Sequence, residues 1–374
     1  MNTRLRVSVA LAALVAAILM SSAPASAAAA KTPWVGMYVP GALNDMSAVA
    51  TVESKIDAHV DVVEFFMNDS EGGFPASRCQ TIVSHGSMPL ITLGLNATAN
   101  GGPAVITAGG EDAYLKSYAA AAKSFGHEVW LRPFHEMNGD WYPWSGTGPG
   151  TPADVAAAWR HVKTIFNDAG ASNVKFVWCP NGESVPDTAA NGIAEYWPGD
   201  AYVDYLGIDA YNAGTTRSWS RWQSIGEAMG PSYGIVTGLS TKPLLLGETS
   251  SVERGGDKAA WIADLFGSIR TKYTRIVGVV WFDAKQTYDW RLDSSSSAQT
   301  AFRSAVSTRA EAAETTLPTG PSLSIDSWSQ GPTLGTAGGS YTLAGLRAGS
   351  TYWMRVLPTY EHRATSSAPS RVPR

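Results

Sequence analysis

EVWLRPFHEMNGDWYPW, residues 128–144, opens with a short apolar run, 128–134, and turns at once into His135, Glu136 and a group of aromatic residues. Seven residues of this character suit a buried strand better than a helix. Working outward, similar runs recur at 34–39 (WVGMYV), 60–67 (VDVVEFFM), 89–95 (PLITLGL), 174–179 (NVKFVWC), 203–208 (VDYLGI), 243–247 (PLLLG) and 276–282 (IVGVVWF). Their starts lie 26 to 46 residues apart, room for a strand, a crossover helix and two loops. The nearly continuous apolar character fits strands covered on both faces of a parallel sheet. Segments 114–125, 153–169 and 258–273 have the length and spacing of covering helices. Eight such units predict an α/β fold, a (β/α)8 TIM barrel. A doubly wound open sheet is the alternative; eight units without a Gly-rich phosphate loop after the first strand count against it.

Polar and aromatic residues gather just past these runs: Asn68, His135, Glu136, Asn181, Asp209, Tyr211, Glu248, Trp281 and Asp283. In a barrel that is the face where active sites sit. Glu136 follows an apolar strand and is flanked by Arg132, His135 and three aromatics, so it is expected to be paired, functional or both. A structural salt bridge to Arg132 is the alternative. HExxH would need His at position 139, which is Gly139, so this is not a zinc motif. Glu248 ends the seventh run, and Gly247 before it permits close backbone approach. Carboxylates at the ends of strands four and seven face each other across the mouth, an arrangement suited to glycoside hydrolysis, with Trp141, Trp144 and Trp281 as flat platforms for sugar rings. Gly230-Pro-Ser-Tyr-Gly234 matches the G-x-S-x-G nucleophile elbow, but it follows helix-like sequence and carries a Pro, so it is rejected.

The composition narrows the classes. The chain has 374 residues, 44% of them hydrophobic and 16% charged, with a formal net charge of −4. It can therefore bury a core, and it lacks the basic runs of a nucleic-acid groove. Arg4 and Arg6, a fourteen-residue apolar run from Val7 to Met20, and Ala25-Ser26-Ala27 read as a signal peptide over residues 1–30 cleaved near Ala27. A membrane anchor would need ~20 apolar residues. The expectation is a secreted monomer with no membrane contact after processing. Cys79 and Cys179 could pair in that compartment if their Cα atoms came within ~7 Å. From 310 the texture changes: 310–340 reads as a linker, and 341–374 as a partial β-module or a disordered tail. Leu346, Gly349 and Tyr352 resemble the tyrosine corner of fibronectin type III domains.

HEMNGDWYPW (135–144) and LLLGET (244–249) resemble the two catalytic segments of glycoside hydrolase family 26, best known for endo-β-1,4-mannanases. The resemblance spans roughly residues 33–309 and implies a retaining hydrolase without metal or organic cofactor. Glu136 matches the family's acid/base and Glu248 its nucleophile. Tyr211 in GIDAYN matches the tyrosine that hydrogen-bonds the nucleophile. Trp281 matches the aromatic under the sugar at the cleavage point, Trp141 a platform beyond it, and His135 the histidine before the acid/base. The implied substrate is β-1,4-mannan. Strand three ends ITLGLNA without the Trp-His pair of mannanases, and WYPW replaces a WFWW-like run. Mixed-linkage β-glucan and β-1,3-xylan, other substrates of the family, therefore stay open. A non-catalytic carbohydrate-binding barrel is the alternative from another class, though it would have no reason to keep both glutamates. In a retaining enzyme the carboxyls sit about 5–5.5 Å apart, with Glu136 raised in pKa and Glu248 kept ionised by Arg and Tyr donors. His59, His85, His127 and His161 are expected away from the mouth, as surface or packing residues.

Overall fold

The computed structural model describes residues 33–315. The expected leader at 1–30 and the expected tail at 341–374 lie outside the described residues, as does the part of the expected 310–340 linker beyond residue 315.

Eight parallel strands close into one barrel in sequence order, β1 (Trp34–Tyr38), β2 (Val62–Asn68), β3 (Met88–Gly94), β4 (Val129–Pro133), β5 (Val174–Trp178), β6 (Tyr205–Asn212), β7 (Leu244–Ser251) and β8 (Ile276–Phe282). Closure is a five-residue ladder in which Trp34 faces Gly278 and Tyr38 faces Phe282. The helices are α1 (Ala42–Asp45), α2 (Ser47–Ile56), α3 (Ala76–Ser84), α4 (Ala104–Thr107), α5 (Asp112–Phe125), α6 (Pro152–Ala169), α7 (Ile225–Leu239), α8 (Lys258–Thr271) and α9 (Ser296–Thr315). The expected (β/α)8 architecture is the observed one.

Two apolar layers hold it together. Val62, Leu90, Trp130, Val177, Cys179, Leu245 and Val280 fill the lower barrel interior. Their neighbours along each strand, such as Val63, Ile91, Leu131, Phe176, Leu206, Leu246 and Val279, pack outward under the helices. Both faces of every strand are thus apolar, which accounts for the continuous runs in the sequence. Helix starts are written locally. Thr151 and Asp154 form a reciprocal capping box at α6 with Pro152 in the first turn, and Ser224 with Glu227 does the same at α7.

Three local readings can be compared with the structure. Gly230–Gly234 lies inside α7, where the buried Ser232 hydroxyl donates to the Met229 carbonyl, so it is no nucleophile elbow. Cys79 and Cys179 are free thiols. Cys79 belongs to the layer under the helices and Cys179 to the barrel interior, with the sheet between them. Residues 310–315, expected to open the linker, instead continue α9 to Thr315, in keeping with the helix-favouring sequence Ala310-Glu-Ala-Ala-Glu314. Among the described residues no helix is long and apolar enough to cross a membrane.

Candidate active site

The site is built around Arg132, which points into the barrel from β4 and is completely buried. A lone guanidinium there would be prohibitively costly, so it is surrounded by acceptors. Nη1 donates to both oxygens of Asp209 on β6, at 2.8 and 3.0 Å. Nη2 donates to Glu64 on β2 and to Glu248 on β7, and Nε donates to Thr92 on β3 at 2.9 Å. Four strands are tied to a fifth through one side chain. The salt bridge considered between Arg132 and Glu136 is replaced by these three carboxylates. Burial, reinforced by the charge of Glu248, pushes Glu64 up to about 8, against the pull of Arg132.

Glu248 accepts from Arg132 on Oε1 and from the Tyr211 hydroxyl on Oε2, at 2.6 Å. The expected Arg and Tyr donors are both in place. Backbone geometry makes this possible. Register shifts flank Glu248 on both neighbouring strands, and such bulges re-aim side chains beside active sites. Gly247 is the other requirement, since a Cβ there would lie 2.5 Å from Cys179 Sγ and 2.7 Å from Asp209 Oδ1.

Past β4 the chain turns sharply. Phe134 and Glu136 both occupy the left-handed region, at φ 50° and 51°, a conformation costing roughly 1–2 kcal/mol for a residue with a Cβ. Strain of this kind clusters at functional sites, which makes Glu136 a candidate. The Glu136 amide donates to the Cys179 carbonyl at 2.9 Å, fixing the turn to β5. Burial first, and the nearby charge of Glu248 second, push Glu136 up to about 7; the Trp141 indole and Arg132 oppose the rise. The two glutamates thus have opposite surroundings. One has cationic and hydroxyl donors on both oxygens, and the other a single indole N–H, Trp141 Nε1 to Oε2 at 2.8 Å.

The remaining expected contacts divide. Trp141 is 45% exposed beside Glu136, as a platform should be. His135 is buried, its Nε2 2.9 Å from the Tyr142 hydroxyl and its Nδ1 unpartnered. Burial, with Arg132 nearby, holds its pKa well below the usual imidazole range, so the ring is neutral. Trp144 is only 2% exposed: its indole donates to the His135 carbonyl, and its ring stacks on Tyr142 at 4.5 Å. It supports the loop and offers no face to a sugar. Trp281 is also misassigned by the sequence. It is fully buried on the outer side of β8, packed at 6.2 Å from Trp261 and 5.3 Å from Phe302 on the helices. Strand alternation sends Val280 and Phe282 inward and Trp281 outward.

The aromatic lining comes from elsewhere. Phe282 stacks on Tyr38 at 4.6 Å and lies 6.1 Å from Tyr211. Trp290, from the loop after β8, packs 5.1 Å from Tyr211, and its carbonyl accepts from Trp281 Nε1 and Ser250. Trp281 therefore acts at one remove, by holding Trp290. The sequence also left Glu64, Asp209, Phe282 and Trp290 without roles. Glu64, a carboxylate in the middle of the apolar run VVEFFM, was the legible signal; Trp290 sits in an irregular loop without one.

The four other histidines of the described residues lie away from this mouth. His161 pairs with Asp112 between α6 and α5 at 2.6 Å, and His127 packs on Phe125. His59 and His85 flank Glu53 near the N-terminal ends of β2 and β3. Their ligand-type atoms come within 4.8 Å of one another, so an ion could be held there only far from the two carboxylates.

Comparison with known proteins follows this geometry. The family model described as glycosyl hydrolase family 26 matches residues 112–234. Endoglucanase H of Acetivibrio thermocellus is 36% identical over 279 residues, 73% of this chain but 30% of that protein. Mannan endo-1,4-beta-mannosidase A and B of Caldalkalibacillus mannanilyticus is 33% identical over 92 residues, 23% of this chain and 17% of that protein. The chain thus spans less than a third of the length of either relative. The catalytic domain of the Bacillus sp. JAMB-750 GH26 endo-β-1,4-mannanase superposes with a TM-score of 0.58 at 15% identity, covering 75% of this chain and 86% of that one; at such identity the likeness is one of fold.

Proposed function

The barrel belongs to glycoside hydrolase family 26, and from that premise and its carboxylate pair we propose that the chain is a secreted, retaining endo-β-glycanase. The observation that carries the mechanism is the contrast between a Glu136 raised to about 7 and a Glu248 bonded by Arg132 and Tyr211. Glu136, protonated, gives its proton to the glycosidic oxygen as the bond to the anomeric carbon breaks. Glu248 attacks that carbon and forms the glycosyl-enzyme. Glu136, now ionised, takes a proton from water, and the water oxygen displaces Glu248. The leader at 1–30 is read as the export signal that delivers a monomer to an extracellular polysaccharide.

A β-1,4-linked or mixed-linkage β-glucan is the substrate best supported. The endoglucanase match runs along 73% of the chain, and the loop after β3 lacks the Trp-His pair of mannanases. β-1,4-Mannan is the second reading, favoured by mannosidase relatives that are 33% and 32% identical over about a quarter of the chain.

New reducing ends should be measured on mixed-linkage β-glucan, mannan and β-1,3-xylan, with wild type beside Glu248→Ala. Release from glucan, lost in the variant by at least about a thousandfold, is expected. The first-formed anomer, followed by proton NMR, should keep the β configuration. An α product would overturn retention. Binding without cleavage of any of the three would leave a carbohydrate-binding barrel.

A further inference from the structure

Trp219 is 74% exposed, the most solvent-exposed of the large apolar side chains in the described residues. An indole left in water needs a reason, and slack in its loop is not one. Asn212 Oδ1 accepts from the Gly214 and Gln223 amides, both at 3.1 Å, tying the two ends of the loop together. The Ser220 hydroxyl donates to the Gly214 carbonyl at 2.7 Å, and the Thr215 amide to the Arg254 carbonyl at 3.1 Å. The ring is clamped too. The Arg217 guanidinium lies 4.8 Å from its centroid and 5.4 Å from that of Tyr288. A planar cation over the ring fixes its tilt and leaves the rest of its surface to solvent.

Its position gives the exposure a meaning. Tyr288 packs 5.8 Å from Trp290, Trp290 lies 5.1 Å from Tyr211, and Tyr211 bonds Glu248. A line of rings, bridged at its outer end by the Arg217 guanidinium, therefore leads from Glu248 outward to Trp219. Trp141, the other exposed indole of the described residues, stands in the loop after β4 and holds Glu136. Trp219 stands in the loop between β6 and α7 and is fastened through Arg217 to Tyr288 of the loop after β8. The two exposed indoles thus rise from different loops past the C-terminal ends of the strands. Trp141 bonds Glu136, whereas Trp219 is tied to the Glu248 side through Tyr288, Trp290 and Tyr211.

We propose that Trp219, braced by Arg217, is the platform of a distal subsite that stacks on a pyranose ring of the β-linked polysaccharide, several rings from the bond cleaved. A pyranose offers a C–H face with hydroxyls around its rim, and an indole matches that face without demanding one hydroxyl pattern. The inference rests on the hydrolase reading above and adds that this side of the cleft holds a long chain.

Trp219→Ala and Trp219→Tyr should be made in the full chain and assayed on the polysaccharide and on short aryl glycosides. For Trp219→Ala the KM for polymer should rise roughly three- to tenfold, the measure of one lost ring contact. Its kcat, its rate on the short substrate and its melting temperature should stay put, and Trp219→Tyr should restore most of the affinity. An unchanged KM for polymer overturns the subsite, and the loss of a dimer in sedimentation would then make Trp219 a protein contact. Gel retardation by each polymer, with Glu248→Ala as parent, separates the two readings. Retardation that Trp219→Ala weakens upholds the subsite even if hydrolysis fails. Retardation that it leaves alone overturns the subsite only, and no retardation by any of the three polymers overturns both.

Discussion

At the scale of single residues, the site gives two glutamates unlike neighbours. In the proposed mechanism Glu136 must carry its proton to act as acid, and it is pushed up to about 7, so activity should fall as the pH rises through that value. Trp141 bonds the ionised form and thereby opposes the rise. Trp141→Phe removes that donor, so the alkaline limb of kcat/KM should move upward by roughly half to one pH unit, less than a buried bond would give because the indole is partly exposed. A limb that stays in place, or moves to lower pH, would show that the indole N–H does not tune this proton. Both glutamates were legible in the sequence because a charge at the end of an apolar strand is too costly to be incidental. Glu64 and Asp209 carry the same signal, but what makes them matter is Arg132, and that its guanidinium reaches carboxylates on three other strands and a hydroxyl on a fourth cannot be read along one chain segment.

At the scale of elements, β7 shows how little room the site leaves. Gly247 faces the barrel interior, where an added Cβ would meet Cys179, Asp209 and Arg132 Nη1, the last at 2.9 Å. Gly247→Ala should therefore cost about 1–3 kcal/mol from overpacking, and lower kcat by shifting Arg132 away from Glu248. Gly234→Ala on α7 is the matched control: its Cβ would touch nothing within 4 Å, so it should be neutral or stabilise by up to about 1 kcal/mol. Urea midpoints of the two would check this, and equal stabilities would mean that the interior can yield. The same element logic explains the exchange of Trp281 for Phe282 and Trp290. A strand apolar on both faces has no alternation to tell inward from outward, so the sequence locates β8 without locating its sides.

At the scale of the whole molecule, the barrel is one closed unit whose seam is β1 against β8. Outside it α9 packs against both α2 and α8, and Phe302 fills the space between Phe266 and Trp281, 5.3 Å from each ring centroid. Phe302→Ala should cost about 3–5 kcal/mol, visible as a lowered denaturant midpoint. Because Trp281 in turn bonds the Trp290 carbonyl, the variant should also loosen the aromatic wall beside Tyr211; a midpoint within experimental error of wild type would remove this account of α9.

The sequence by itself determined the eight strands, the barrel and the end of it where Glu136 and Glu248 stand, because each rests on local pattern: apolar runs, their spacing, and charges where apolar runs stop. Only the tertiary structure decided that Trp144 and Trp281 are buried, that Phe282 and Trp290 line the mouth in their place, and that Arg132 joins three carboxylates. Those depend on which side of a doubly covered strand a residue faces and on what lies across the barrel from it, and neither quantity is encoded in nearest-neighbour order.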